Sequence, residues 1–143
     1  RSLETLHMRM VRHTENAKRV AGFLNDHVKI DHVNYLGLLR PGTSQYEIYR
    51  RQCEGPGAMI SFDILSDEAG VFRFLNALHL VRLAVSLGGT ESLAQHPNSM
   101  THAAVDPIEK KSLGISEGLV RLSVGIEDPE DLVRDLRSAL GAV

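Results

Sequence analysis

Arg121 has the side chain and the position in this sequence that best suit ligand binding. It lies where Val120, Leu122, Val124 and Ile126 alternate with polar or small residues, so it should point away from the apolar face of a strand. A guanidinium presents a rigid fork of donors that can bind a carboxylate through two parallel hydrogen bonds. Because most surface charges serve no site, two interpretations stay open, a solvated arginine and a carboxylate clamp.

The stretch Ser86-Leu87-Gly88-Gly89, at the end of another predicted strand, is the second candidate. Its glycines predict a tight turn whose backbone amides, together with the Ser86 hydroxyl, could meet a ligand. A polar strand end followed by an ordinary turn explains the same residues. The pattern alone does not choose between these two interpretations.

The other residues that commonly carry chemistry form no recognisable site. Among the seven histidines, His96 and His102 are six residues apart, as are His7 and His13, and neither spacing places two ligands on one helix face. Cys53 is the only cysteine, so an intramolecular disulfide is excluded and a catalytic thiol has no predictable base partner. From the histidine spacings and the single cysteine we expect no metal site. No glycine-rich phosphate loop joins a strand to a helix.

The composition predicts one globular domain in a reducing compartment. The chain has 143 residues and a formal net charge of −2, which gives no reason to expect binding to nucleic acid or to an anionic membrane. No apolar run reaches membrane-spanning length, and the single cysteine fits the cytoplasm. The first residues open directly into a helical pattern instead of a signal peptide, which predicts a piece of a longer protein.

Hydrophobic periodicity and chain breakers predict the elements that would position these residues. Alternation predicts four strands, at residues 28–35, 59–64, 81–87 and 120–126. Apolar spacings of three and four, with capping residues, predict helices over 3–25, 45–51 and 107–112, after a Ser66 cap, and after Asp128-Pro129-Glu130-Asp131. Residues 36–44 and 90–105 are predicted to be mostly loop.

These elements predict an α+β domain with a mainly antiparallel sheet and helices on one face. The other face of the sheet would carry five polar side chains: Ser61, Asp63, Ser86, Arg121 and Ser123. Such a face is either solvated or docked against something polar. Both candidates for ligand binding fall on it.

Two long stretches resemble one enzyme family. One is Val85-Ser86-Leu87-Gly88-Gly89-Thr90-Glu91-Ser92-Leu93-Ala94-Gln95-His96-Pro97, followed by Ser99-Met100-Thr101-His102; the other is Gly114-Ile115-Ser116-Glu117-Gly118-Leu119-Val120-Arg121-Leu122-Ser123-Val124-Gly125-Ile126-Glu127-Asp128. Both are similar to the family of cystathionine γ-synthases, cystathionine γ-lyases and methionine γ-lyases. The resemblance runs through the whole chain and is weakest between Tyr35 and Arg51.

The resemblance implies a small carboxyl-terminal domain of the aspartate-aminotransferase fold type, spanning residues 1–143. In such enzymes a large domain holds pyridoxal phosphate (PLP) as an imine on a lysine, and the small domain closes over the substrate. By motif position, Arg121 matches the arginine that grips the substrate α-carboxylate. Ser86 matches the serine beside the cofactor and that carboxylate.

Val85 bears on which reaction the family resemblance implies. Cystathionine-handling members often carry glutamate at this position and methionine γ-lyases carry valine, and an apolar side chain suits a methylthio group. This favours γ-elimination at a C–S bond. Strict alternation would turn Val85 toward the core, so a bend beside Gly88-Gly89 would have to redirect it. The alternatives are γ-replacement on an activated homoserine and a non-catalytic binding or assembly module.

The lysine that the family uses to hold PLP has no counterpart in this sequence. It stands in a Ser-x-x-Lys setting, and none of Lys18, Lys29, Lys110 and Lys111 does. We therefore expect this chain alone to bind PLP weakly and to be inactive. The implied partners are a sulfur amino acid, bound through its α-carboxylate, and the enzyme's own large domain, in a homotetramer.

Overall fold

The computed structural model describes residues 3–143 and contains five α-helices and five strands in that range. The helices are α1 (Leu6–Asn25), α2 (Ser44–Gln52), α3 (Glu68–Asn76), α4 (Pro107–Ser112) and α5 (Pro129–Leu140). The strands are β1 (Ile30–Asn34), β2 (Met59–Ile64), β3 (Arg82–Leu83), β4 (Leu93–Gln95) and β5 (Leu119–Ser123), and a short 3₁₀ turn spans Leu36–Leu38.

The strands form one sheet in the order β1-β2-β5-β4-β3. Every neighbouring pair is antiparallel except β3 and β4, which are parallel. The predicted α+β class, with a mainly antiparallel sheet, is therefore confirmed. Residues 28–29 precede β1, and Val28 is largely exposed, so the first strand is shorter than predicted.

Helices α1, α3 and α5 cover one face of the sheet, as predicted. Alternate residues of β2 and β5, among them Phe62 and Leu122, are fully buried in the same core as Leu24 of α1, Phe74 of α3 and Leu136 of α5. Helices α2 and α4 bury no residue and lie outside this core. None of the helices within residues 3–143 is long and apolar enough to cross a bilayer.

The caps of the helices are set by local chemistry. Asp128 accepts hydrogen bonds from the amides of Glu130 and Asp131, and Pro129 occupies the first turn, so α5 begins where the sequence predicts. Helix α3 is capped by Asp67, whose carboxylate accepts from the Gly70 amide at 2.9 Å, and not by the predicted Ser66. The Asp67 carboxylate is the better cap because its negative charge also interacts favourably with the positive end of the helix dipole.

Three other predictions about elements are wrong in part. The predicted strand 81–87 pairs regularly only at β3, and the predicted loop 90–105 contains β4. Helix α1 begins at Leu6, and its predicted apolar stripe is buried only from Ala17 onward. All three residues of β4 are buried, so the strand shows no alternation that could be read from sequence.

Candidate functional site

A row of polar side chains crosses four strands on the face of the sheet opposite the helices. The register pairs Asn34 with Ser61, Ser61 with Arg121, and Arg121 with Gln95. The row forms the floor of a cleft of about 410 Å³, whose walls include Pro97, Thr101, His102 and Ile115. No acidic residue lines this cleft. Antiparallel pairing thus places one cation at the centre of a neutral surface.

Arg121 is held from one side by the backbone of residues 85 and 86. Its Nη2 donates to the Val85 carbonyl at 2.7 Å and to the Ser86 carbonyl at 3.2 Å. Its Nε is buried and has no hydrogen-bond partner. The three residues that the sequence singles out are therefore brought together, although Val85 and Ser86 reach Arg121 through backbone carbonyls.

The charge of Arg121 is not compensated by any carboxylate within residues 3–143. None of the ion pairs there includes it. Partial burial lowers the pKa of the guanidinium, because desolvation disfavours the charged form. Arginine nevertheless remains protonated at neutral pH. A partly desolvated cation without a carboxylate partner is suited to bind a small anion, and a carboxylate supplies the two acceptors that a guanidinium fork can meet.

Residues 84–92, which we term the strap, connect β3 to β4 without regular structure. At one end the Ala84 amide donates to the Ala94 carbonyl, and in the middle the Gly88 amide donates to Ser123 Oγ at 2.9 Å. Gly88 has a φ of 73°, a conformation that residues with a Cβ adopt at a cost. The predicted bend beside the glycines is therefore present.

The strap decides where Val85 and Ser86 lie. Because regular pairing stops at Leu83, strand alternation no longer applies, and Val85 is 55% exposed instead of turned into the core. Ser86 is exposed as well, and its hydroxyl makes no hydrogen bond to the rest of residues 3–143. The prediction that Ser86 lies on the sheet face is wrong, since it lies on the strap above that face.

The polar sheet face is covered partly by polar loops of the same chain. Ser123 is buried under the strap, and Asp63 is buried where Ser116 donates to its carboxylate and His32 Nε2 lies 3.3 Å away. The sequence left two alternatives for this face, exposure to solvent and docking against something polar. At Ser123 and Asp63 the second holds, because polar groups of the same chain cover both side chains. Ser61 and Arg121, which line the cleft, are only partly exposed.

Sequence reasoning missed Gln95 and the residues that fix the strap. Gln95 is buried beside Arg121, and its Oε1 has no hydrogen-bond partner. Its strand is too short to be detected by periodicity. Ser92 and Glu127 are joined by two hydrogen bonds across 35 positions of sequence, and no local pattern signals such a contact.

His96 is used in packing and hydrogen bonding. His96 is fully buried; its Nδ1 lies 2.8 Å from Ser99 Oγ and its Nε2 lies 2.9 Å from the Glu117 carbonyl. It thereby joins the turn after β4 to the loop before β5. Within the described part of the chain, no three His, Cys, Asp or Glu side chains come together as metal ligands would. Cys53 is an exposed free thiol.

Comparisons with known proteins, by sequence and by fold, point to the family that the sequence motifs resemble. The sequence profile of the family described as Cys/Met metabolism PLP-dependent enzyme matches residues 1–141. The chain belongs to this family. It is 48% identical over 143 residues to an L-methionine gamma-lyase of Pseudomonas deceptionensis, which is 100% of this chain and 35% of that protein.

Two further relatives support the assignment. The chain is 47% identical over 142 residues to a cystathionine gamma-lyase of Sus scrofa, covering 99% of this chain and 35% of that protein. Its structure matches that of a cystathionine gamma synthase of Xanthomonas oryzae pv. oryzae, in complex with aminoacrylate and cysteine, with a TM-score of 0.90 and 44% identity. That match covers 98% of this chain and 36% of the synthase. The chain thus spans about a third of the length of these relatives.

The family depends on PLP, but the residues of this chain do not by themselves fit the cofactor. Lys29 Nζ donates to the carbonyls of Leu140 and Val143, and Lys110 Nζ donates to the Asn98 carbonyl. Lys18 and Lys111 are exposed on helices. None of the four lysines lines the cleft around Arg121. Within residues 3–143, Arg121 places a cation in the cleft, and no lysine amine lies there to hold PLP.

Proposed function

We propose that residues 1–143 are the carboxyl-terminal, substrate-closing domain of a PLP-dependent enzyme that acts on sulfur amino acids. The observation that carries this proposal is the uncompensated Arg121 cation in a cleft that no acidic residue lines. Arg121 binds the α-carboxylate of the substrate, and Ser86, held beside it, lies next to that carboxylate and to the cofactor. The rest of the enzyme supplies the PLP lysine and the electron sink.

The same proposal assigns γ-elimination at the C–S bond of a methionine-like substrate. Val85 supports it, because its backbone is bound to Arg121 while its apolar side chain is 55% exposed. Burying a charged distal group against such a side chain costs free energy, whereas a methylthio group gains from the contact. A synthase that replaces the γ-substituent of an activated homoserine is the alternative within the family.

The working enzyme is proposed to be a homotetramer in the cytoplasm, in which this domain packs against its own large domain. The free thiol of Cys53 is consistent with a reducing compartment. Several apolar side chains are left exposed and are available for such packing: Leu3, Met8, Val11, Leu36, Ile48 and Ile108.

A ligand titration followed by NMR tests the role of the cleft. L-Methionine should shift the Arg121 side-chain resonances and the Ser86 amide in this chain. The control is 3-(methylthio)propylamine, which keeps the methylthio group and the amine but has no carboxylate, and it should leave both signals unchanged. Equal shifts with both compounds, or shifts confined to other residues, would contradict the proposal. A specific oligomer by light scattering, with no methionine binding, would instead support a non-catalytic assembly module.

We also expect that this chain alone does not retain PLP. After incubation with PLP and exhaustive dialysis, its absorption spectrum should lack the band of lysine-bound cofactor, because Lys29 and Lys110 are engaged and no lysine lines the cleft. If a band survives and borohydride fixes the cofactor to one lysine, the proposed division of the site between two domains is wrong.

A further inference from the structure

The strap is held by a few backbone hydrogen bonds, such as that from the Ile126 amide to the Thr90 carbonyl at 2.9 Å, and by side chains from outside it. Its backbone forms no sheet ladder between Ala84 and Ser92, and β3, which precedes it, is only two residues long. Three side chains from β5 and the turn that follows hold it: Arg121 at residues 85 and 86, Ser123 at Gly88, and Glu127 at Ser92. The first two contacts are made from the polar face of the sheet, and the third closes the far end of the strap.

Glu127 makes two short hydrogen bonds to the strap. Its Oε1 accepts from the Ser92 amide at 2.6 Å, and its Oε2 accepts from the Ser92 hydroxyl at 2.8 Å. Ser92 Oγ in turn accepts from the Gly125 amide at 2.7 Å. Ser92 is buried, and no ion pair within residues 3–143 includes Glu127. The carboxylate is therefore committed to the strap, through charge-assisted hydrogen bonds that exceed neutral ones in strength.

The turn that carries Glu127 is itself fixed to α1. Asn16 Nδ2 donates to the carbonyls of Gly125 and Glu127, and His13 Nδ1 lies 2.6 Å from the Val124 carbonyl. A Cβ at Gly125 would overlap the Glu127 carboxylate and the Thr90 carbonyl, so the strap and the turn are in close contact. Glu127 thus connects the strap to a rigid part of the core.

We propose that Glu127, acting through Ser92, is a positioning residue for the anion site. It holds the far end of the strap. The Val85 and Ser86 carbonyls then remain hydrogen-bonded to Arg121 Nη2, and these bonds fix the direction of the guanidinium. This inference rests on the proposed function of Arg121 for its consequence in binding. The geometry of the strap itself can be tested without any ligand.

The ligand-free test compares Glu127→Ala, Glu127→Gln and Glu54→Ala by NMR. Glu54 is exposed and matches the loss of one carboxylate elsewhere in the chain. In Glu127→Ala, the Gly88 amide should exchange with solvent about tenfold faster or more, because its local opening costs less. The restricted rotation of Arg121 Nη2 should be lost as well. Glutamine keeps an acceptor for the Ser92 amide, so Glu127→Gln should restore most of both signals, and Glu54→Ala should match the wild type.

Binding of L-methionine provides the second readout. Glu127→Ala should bind about tenfold more weakly than the wild type, a change that corresponds to about 1.4 kcal/mol. Glu127→Gln should bind nearly as well as the wild type. The amides of β2 and β5 should keep their protection in all variants, which separates positioning from a general loss of stability.

Two results would overturn the positioning role. One is unchanged Gly88 exchange and Arg121 rotation in Glu127→Ala; the other is loosening of β2 and β5 to the same degree as the strap, without recovery in Glu127→Gln. Failure of the wild-type chain to bind L-methionine would overturn the proposed function of Arg121 instead. In that case the ligand-free signals alone decide whether Glu127 positions the strap.

Discussion

Replacing Arg121 by alanine should reduce turnover of L-methionine at least a hundredfold once this chain is combined with the large domain of the enzyme. The variant would remove the two charge-assisted hydrogen bonds that Arg121 is proposed to donate to the substrate carboxylate, each worth about 1.5–3 kcal/mol. A loss of about 3 kcal/mol corresponds to more than a hundredfold in binding. The measurement is keto-acid release after mixing the two separately produced domains.

Two further variants separate the charge of Arg121 from its shape. Arg121→Lys keeps a cation but loses the planar fork, so it should recover only part of the activity. Arg134→Ala removes an exposed arginine whose ion pair with Asp131 lies at the surface of α5, and it should leave turnover unchanged. Wild-type turnover by Arg121→Ala would exclude the role proposed for this residue.

Replacing Asp135 by alanine should lower the free energy of unfolding by about 3 kcal/mol, near the upper end of what single substitutions cause. Asp135 is buried on α5, where its carboxylate accepts from the amides of His79 at 2.9 Å, Leu80 at 3.0 Å and Val81 at 2.9 Å. Alanine would leave these three donors without their acceptor, and burying unpaired donors is costly. Urea denaturation measures the change.

The control for this prediction lies one turn earlier on the same helix. Asp131 is exposed and in the first turn of α5, so Asp131→Ala should cost less than about 1 kcal/mol. Asp135→Asn keeps one carbonyl acceptor and should lie between the wild type and Asp135→Ala. A cost below about 1 kcal/mol for Asp135→Ala would show that the three amides find other partners.

Asp135 and Glu127 fix the two ends of the segment that contains β3 and the strap. Asp135 holds the three amides that lead into β3, and Glu127 holds Ser92, where the strap leads into β4. Between them lie Val85 and Ser86, the two residues bound to Arg121. The site is therefore built on an irregular segment that carboxylates fix from both ends, and Arg121 belongs to the regular sheet beneath it.

Elements that depend on neighbouring residues could be predicted from the sequence. The alternation around Phe62 and Leu122 identified β2 and β5 and their buried faces, since successive side chains of a strand point to opposite sides. The Asp128-Pro129 start of α5 was predicted for the same reason, because a capping carboxylate and a proline act within one turn. The position of Arg121 on the polar face followed from alternation alone.

Features that depend on distant residues could not be predicted from periodicity. Strand β4 is three residues long and wholly buried, so it is too short for an alternating pattern to reveal it. The end of β3 at Leu83 was missed because the residues that follow are taken up by contacts with Arg121 and Ser123. An acid such as Asp135 on an apolar helix face gives no sign of which amides it binds.

The sequence by itself determined the class of fold, the family and the polar face that carries Arg121, because these follow from local pattern and from long motifs. Only the tertiary structure decided that Val85 is exposed, that its carbonyl and that of Ser86 lie on the Arg121 guanidinium, and that Glu127 reaches Ser92. These contacts join residues about 35 positions apart, and they form only when the sheet order brings β5 beside β4.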